Sequence, residues 1–269
     1  MLVYRYFRWL SLDIVLGAIC FSRYLNDFYA LNLHIVTYVE LGLAVWVIYL
    51  LDHIIDSRRK TTFHSLRHQF YKDHFKLLSW LCLFALVIAF VLLVFLPIIL
   101  LIYGAILSSL SLGYLAIVKY VPKFWVKELL IATGYSSGLF LAPFSFVEHL
   151  DMFDILIYLD ILFIALSNLI VFSIYDISSD EKDSFPSVVQ KLGFTGAKRL
   201  LVILLLIGSG IAVCLLTVSL NLGVMLIFMN IVLLLLHSKP TYFRENEFFR
   251  LIGDGIFYLP IIFLLFGKL

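Results

Sequence analysis

Asp52 and Asp56 stand four residues apart at the end of one apolar stretch, and Asp176 and Asp180 repeat that spacing at the end of another. Positions i and i+4 share a helix face, so each pair projects two carboxylates in one direction. Carboxylates at the edge of an apolar span are costly and call for a compensating partner, most simply a hard cation bound through oxygen. Four such groups brought together would repel one another until cations entered. Mg2+ keeps several water and phosphate oxygens in its shell and suits sparse carboxylates of this kind, and a diphosphate would complete the site. Arg58, Arg59, Lys119, Lys123 and Lys191 lie close in sequence to the pairs or to the loops beyond them. They are candidates for the remaining phosphate charge, arginine through paired N–H donors and lysine as a point charge.

The elements that must position these acids are membrane helices. Of the 269 residues 63% are hydrophobic and only 14% charged, with a mean hydropathy of +1.05. That is too much apolar surface for a soluble domain of this length to hide, and the runs recur at the length of a bilayer crossing. The pattern predicts an all-α, polytopic membrane bundle of about nine spans, near 9–27, 34–56, 76–95, 97–117, 126–147, 153–176, 198–219, 222–238 and 247–266. It reads as a single integral-membrane domain over residues 1–269, with two four-helix halves, about 1–121 and 122–240, and a final helix at 247–266. Each acidic pair closes the second helix of a half and opens into one of the two long loops, so the pairs are expected to face each other across a central cavity. No cleavable signal peptide interrupts the first span. Cys20, Cys82 and Cys214 fall inside spans and read as packing residues.

Positive charge is distributed unevenly. All Lys and Arg except Arg23 and Lys268 fall in or beside the amino terminus and every second loop, while the opposite side carries Glu148, Asp151 and Asp154. By the positive-inside rule the amino terminus and both acidic motifs are cytoplasmic and the carboxyl terminus is outside. A net charge of +2 with its basic residues confined to short loops gives no reason to expect a nucleic-acid partner.

Further polar residues lie within the spans. Arg23 and Asp27 are spaced for an i,i+4 ion pair near the outer face. Asn168 lies two turns before Asp176 on the same helix and is placed either to touch a bound acceptor or to bond a neighbouring helix. Asp13 and Asp254 have no assigned role. His53, His64, His68 and His74 cluster around the loop after the second span, but their spacing fits no compact zinc set, and a solvated loop accounts for them.

These motifs resemble the UbiA-type intramembrane prenyltransferase superfamily. The segment YDISSDEKDSFPSVVQKLG, residues 175–193, is similar to the second aspartate motif of that family through Asp176, Asp180, Pro186 and Gly193. YLLDHIIDSRRK, residues 49–60, resembles the first motif, with Asp52 where the family has Asn, Asp56 retained, and Lys60 in place of a third acid. Ser184 is a second departure. KYVPKFWVKELLIATGYSSG, residues 119–138, resembles the basic loop and fifth helix, where a lysine assists donor binding. Lys119 is the first candidate for that lysine and Lys123 the second.

The resemblance implies a nine-helix bundle with a Mg2+ cofactor held by Asp52, Asp56, Asp176 and Asp180. It implies an isoprenyl diphosphate donor, a hydrophobic or aromatic acceptor and a membrane-lipid setting. Ionisation of the donor's allylic C–O bond would leave a carbocation for the acceptor to attack. Two other classes stay open: a divergent UbiA-like protein that binds a prenyl lipid or partner without chemistry, and a small transporter. Transport would place carboxylates near the midplane on broken helices rather than at one edge.

Overall fold

The computed structural model describes residues 2–58, 66–120, 126–183, 187–244 and 247–266, and all of the regular structure among them is helical. Seven helical stretches among these residues are long and apolar enough to cross a bilayer. Five of them are single helices: α3 (Ile35–Ser57), α6 (Ile98–Tyr120), α9 (Met152–Asp183), α10 (Val188–Leu215) and α11 (Leu220–Ser238). The others are α5 (Phe75–Leu92) with the 3-10 turn that follows it, and, after the short α12 (Pro240–Arg244), α13 (Phe248–Gly255) joined through another 3-10 turn to α14 (Leu259–Phe266). The chain is a multi-pass integral membrane protein.

The first and fifth expected spans are the ones the structure breaks. The chain begins with α1 (Leu2–Trp9), turns at Ser11, whose φ of 57° is left-handed, and continues as α2 (Leu12–Phe28). Carbonyls released by that turn find donors elsewhere: Tyr71 Oη donates to Trp9 O at 2.9 Å and Trp46 Nε1 to Leu10 O at 2.8 Å. The fifth span is α7 (Lys127–Leu139) followed by α8 (Leu141–Phe146). Pro143 has no N–H to offer Leu139, four residues back, and its ring crowds that carbonyl, so the helix breaks at Phe140.

Helix starts are set by local chemistry. Asp151 and Asp154, expected only as outer-face charge, bond each other's backbone N–H at 3.0 and 2.8 Å in a reciprocal cap that starts α9. Tyr29 Oη, just past α2, donates to Asp154 at 2.8 Å and ties the two helices together. Ser187 and Ser219 cap α10 and α11. Gly193, with φ 72° and ψ 161°, kinks α10 near its start. Only glycine takes that backbone region at low cost.

The main core surrounds α9, which packs on α7, α10, α11 and α13. A smaller cluster joins α3 to α5 and to α4 (Leu66–Asp73), with Leu50, Ile54, Tyr71 and Leu78 at its centre. Both motif helices therefore lie between their chain neighbours, α3 between α2 and α5, and α9 between α7 and α10. Large apolar side chains such as Trp80, Phe84 and Phe90 point outward, as hydrocarbon surroundings favour. On the other side of the bundle Arg23 Nη1 donates to Tyr38 Oη at 3.1 Å and its guanidinium stands over that ring. Asp27 is exposed, so the expected Arg23–Asp27 pair is replaced by an Arg23–Tyr38 contact, because α3 brings an aromatic partner closer than the next helical turn does.

Candidate functional site

The last two turns of α3 carry Asp52 and Asp56, and α9 carries Asp176 two turns before its end. All three line one cavity of about 210 Å³ enclosed by α2, α3, α4, α7, α9 and α13. The i,i+4 spacing does what it predicts on α3. Lys127, at the first position of α7, reaches both carboxylates, with Nζ at 3.8 Å from Asp52 Oδ2 and 3.5 Å from Asp56 Oδ2. On α9, Asp176 accepts from Arg250 of α13. That guanidinium also lies over Phe172 and Phe249, 5.1 and 5.3 Å from the ring centres, which fixes its plane.

Arg67, on α4, enters the same cavity. Its Nε is buried without a hydrogen-bond partner. Burial and the neighbouring Arg250 push the Arg67 pKa down from its ordinary value, with Asp176 acting the other way. A buried donor of this kind is costly until an acceptor arrives, and an anion would satisfy it. His53 and His68 line the cavity as well and are buried. His53 packs edge-on against Tyr71 at 5.1 Å. For these two the expected solvated loop is corrected, because α4 folds back onto α3 instead of standing in water. His64 lies outside the described residues.

Glu128, beside Lys127, is buried and accepts from Val188 N at 2.8 Å and from Ser173 Oγ at 3.1 Å. It joins the start of α10 to α7 and α9, and so sets the cavity wall that carries Asp176. Arg8 of α1 lines the cavity too and pairs with Glu247, ahead of α13. The amino-terminal turn at Ser11 thus brings a residue that precedes the first expected span to the rim of the site.

Lys191 is a further expected residue whose side chain is described. Arg59 and Lys123 lie outside the described residues, as do Lys60 and Ser184. The backbones of Lys119 and Asp180 belong to α6 and α9, but their side chains are likewise outside the description. Lys191 is exposed and is not among the residues that line the cavity. In that first turn of α10 Val188 and Val189 take the buried positions, leaving Lys191 on the outward side. The basic groups brought to the cavity are Lys127, Arg67, Arg250 and Arg8. Lys127 had a visible signal, a Lys-Glu pair at the threshold of an apolar span. Arg8, Arg67 and Arg250 had none beyond their position at the basic end, since their arrival depends on how α1, α4 and α13 fold back.

Asn168 does line the cavity, on α9 deeper than Asp176, and its Nδ2 donates to Asp254 Oδ1 at 3.3 Å. Of the two roles expected for it, the bond to a neighbouring helix is the one the structure shows.

The carboxylate set has the donor chemistry for Mg2+ only in part. Among the described residues no cluster of three metal-ligating side chains is tight enough to enclose an ion. An ion here would complete its shell with water or phosphate oxygen, which is how Mg2+ is ordinarily held. Asp52, Asp56 and Asp176 are the described residues that would hold it.

No protein-family model matches the chain, and no curated protein matches it in sequence. Among solved structures, a UbiA homologue from Aeropyrum pernix K1 superposes with a TM-score of 0.65 at 15% identity, over 96% of this chain and 97% of that one. The structure described as digeranylgeranylglyceryl phosphate synthase in membranes superposes with a TM-score of 0.55 at 15% identity, over 94% and 93% of the two chains. The likeness spans nearly the whole of each partner, so the fold of this membrane bundle is the UbiA fold.

Proposed function

We propose that the protein transfers an isoprenyl group from its diphosphate to a hydrophobic acceptor within the membrane, in a Mg2+-dependent reaction. One observation carries the reading: Asp52, Asp56 and Asp176 share a single cavity with Lys127, Arg67 and Arg250. Acids alone would suit a cation and bases alone an anion. The two sets together suit a metal-diphosphate.

Arg67 and Arg250 bind the diphosphate oxygens through planar N–H donors. Lys127 keeps Asp52 and Asp56 compensated and offers its ammonium to the leaving group. Asp52, Asp56 and Asp176, with Asp180 added by its place in the second motif, hold Mg2+. That ion, when bound, offsets the negative charge that grows on the leaving diphosphate. Ile131, Ala132, Leu169 and Phe172 add apolar wall to the cavity, so that the carbocation left when the allylic C–O bond breaks meets the acceptor before water. The motif end of the bundle faces the cytoplasm, by the distribution of basic residues.

The test is turnover in lipid nanodiscs containing a membrane-lipid extract as acceptor source, supplied with farnesyl diphosphate, and with geranylgeranyl diphosphate in parallel. The expected result is Mg2+-dependent release of diphosphate together with a prenylated lipid detected by mass spectrometry, both lowered at least about a hundredfold in Asp176→Asn. Tight donor binding with no Mg2+-dependent release would reject transfer in favour of a prenyl-lipid-binding protein.

A further inference from the structure

The end of the bundle that carries the motif aspartates holds a second, smaller cavity, bounded by α9, α10, α11 and α12. Phe172 and Asp176 of α9 line the first cavity, while Val171 and Tyr175, each one residue earlier, line this one. One residue turns a helix by about 100°, so the two cavities occupy separate sides of α9. Lys198 of α10, His237 in the last turn of α11 and Arg244 at the end of α12 line the smaller cavity together. Its volume of about 30 Å³, against about 210 Å³ for the first, leaves room for one small head group and not for a whole diphosphate donor.

The charge here is of one sign. Among the described residues no carboxylate lines this cavity, and none forms an ion pair with Lys198, His237 or Arg244. Aromatic faces hold two of the basic groups: Lys198 Nζ stands 4.4 Å from the ring centre of Phe194, and the Arg244 guanidinium 6.0 Å from that of Tyr175. Such contacts leave N–H donors for an anion. His237 Nδ1 is buried without a hydrogen-bond partner, and a buried polar atom in that state is costly until a ligand supplies one. The last carbonyls of α11, which would repel an anion, are already engaged. Leu235 O accepts from Lys239 N at 3.2 Å and from Ser238 Oγ at 3.0 Å, and Leu236 O accepts from Tyr175 Oη at 2.6 Å. Tyr175 is itself fixed, its ring stacked on Phe249 at 4.2 Å, so this wall is set before a ligand arrives.

The rest of the lining is largely apolar, with Ile174, Leu201 and Pro240 beside the basic groups. Further along α10, Ile203 and Leu206 are exposed on the surface of a membrane span. A ligand suited to both parts has an anionic head and a hydrocarbon body, and a basic pocket between spans at the membrane edge is a physical form that holds lipid phosphates. A choline head would bring a further cation against three basic groups and be disfavoured. We infer that Lys198, His237 and Arg244 bind the phosphate of an anionic glycerophospholipid whose acyl chains lie along α10. No residue of the motif cavity lines this site, so it stands or falls apart from the transfer reading.

The experiment titrates dioctanoyl phosphatidylglycerol into the full chain in neutral detergent, with bound lipid counted by native mass spectrometry. Dioctanoyl phosphatidylcholine is the zwitterionic control, and glycerol 3-phosphate supplies the phosphate without the tails. The expected result is binding of phosphatidylglycerol at least about tenfold tighter than either. Lys198→Gln is expected to weaken it about tenfold, and Lys198→Arg, which keeps a cation, to restore most of it. Arg199→Gln removes the same charge from an exposed neighbour that does not line the cavity, and is expected to leave affinity within about twofold. Tm is measured on every variant, and Arg244→Gln, at an exposed position, carries the same test where Lys198→Gln lowers Tm. Equal affinity for the two lipids, or binding unmoved by both Lys198→Gln and Arg244→Gln, would overturn the site. So would a loss in Arg199→Gln equal to that in Lys198→Gln, which would reduce the preference to the diffuse charge of the basic end. Glycerol 3-phosphate binding as tightly as phosphatidylglycerol would overturn the lipid assignment in favour of a soluble phosphate.

Discussion

Lys127 stands within 3.8 Å of one motif aspartate and 3.5 Å of the other, so its removal leaves two neighbouring carboxylates without their bridging cation. Loss of one member of a buried charge group costs more than the pair contributes, because the remaining charges stay desolvated. Lys127→Met is therefore expected to weaken farnesyl diphosphate binding at least about tenfold in calorimetry with Mg2+ present, with Lys127→Arg recovering part of it. Unchanged affinity in Lys127→Met would remove this lysine from the donor site. Glu128 next to it has a different duty, since it satisfies Val188 N at the start of α10. Glu128→Leu orphans that N–H and is expected to lower stability by about 1–3 kcal/mol, read as a fall in Tm, whereas Glu128→Gln keeps an acceptor and most of the stability. That Asp52 and Asp56 share a helix face was legible from spacing alone. The part played by Lys127 was not, because it lies with Lys119 and Lys123 in one short basic stretch, and its approach to α3 depends on where α7 starts.

Helices α10 and α13 owe their shape to single glycines. Gly193 sits at φ 72° and ψ 161°, where a Cβ strains the backbone by about 1–3 kcal/mol. At Gly253 the backbone is helical and the limit is space, with Asn168 Oδ1 at 2.4 Å and Phe172 at 2.7 Å from a built Cβ. Gly253→Ala is thus expected to push α13 from α9 and lower Tm, while Gly210→Ala, whose Cβ meets nothing within 4 Å, leaves it unchanged. Equal behaviour of the two variants in thermal melts would refute tight packing at Gly253. Span positions were readable from hydropathy because lipid imposes the length of each apolar run. The breaks were readable only in part. Pro143 marks the α7–α8 break in the sequence, but nothing in the serine at position 11 announces a left-handed residue. That turn is held by Trp46 and Tyr71, which are distant in sequence.

Among the described residues Arg8, Arg67, Lys127 and Arg250 gather with Asp52, Asp56 and Asp176 around one cavity, and many large apolar side chains are exposed. In sealed membranes of one orientation, a cysteine at exposed Asp73 is expected to react with a membrane-impermeant maleimide from the cytoplasmic face, and one at Glu148 from the opposite face. Labelling of both from one side would break the proposed topology. The superfamily fold was accessible from two short motifs because their spacing, their place at span ends and the loop charges all constrain the same bundle. The meeting of Asp13, Asn168 and Asp254 in the cavity was not accessible, since they lie on α2, α9 and α13 and share no motif. The central claim is that the motif acids and the gathered bases together bind a metal-diphosphate. Its most direct test is calorimetric binding of farnesyl diphosphate to the purified protein, with and without Mg2+, in the unaltered chain and in Asp176→Ala, with farnesol as the control that lacks the diphosphate. Binding that needs the diphosphate, the metal and Asp176 together is the predicted result. Equal binding of farnesol and farnesyl diphosphate, indifferent to Mg2+ and to Asp176, would contradict it.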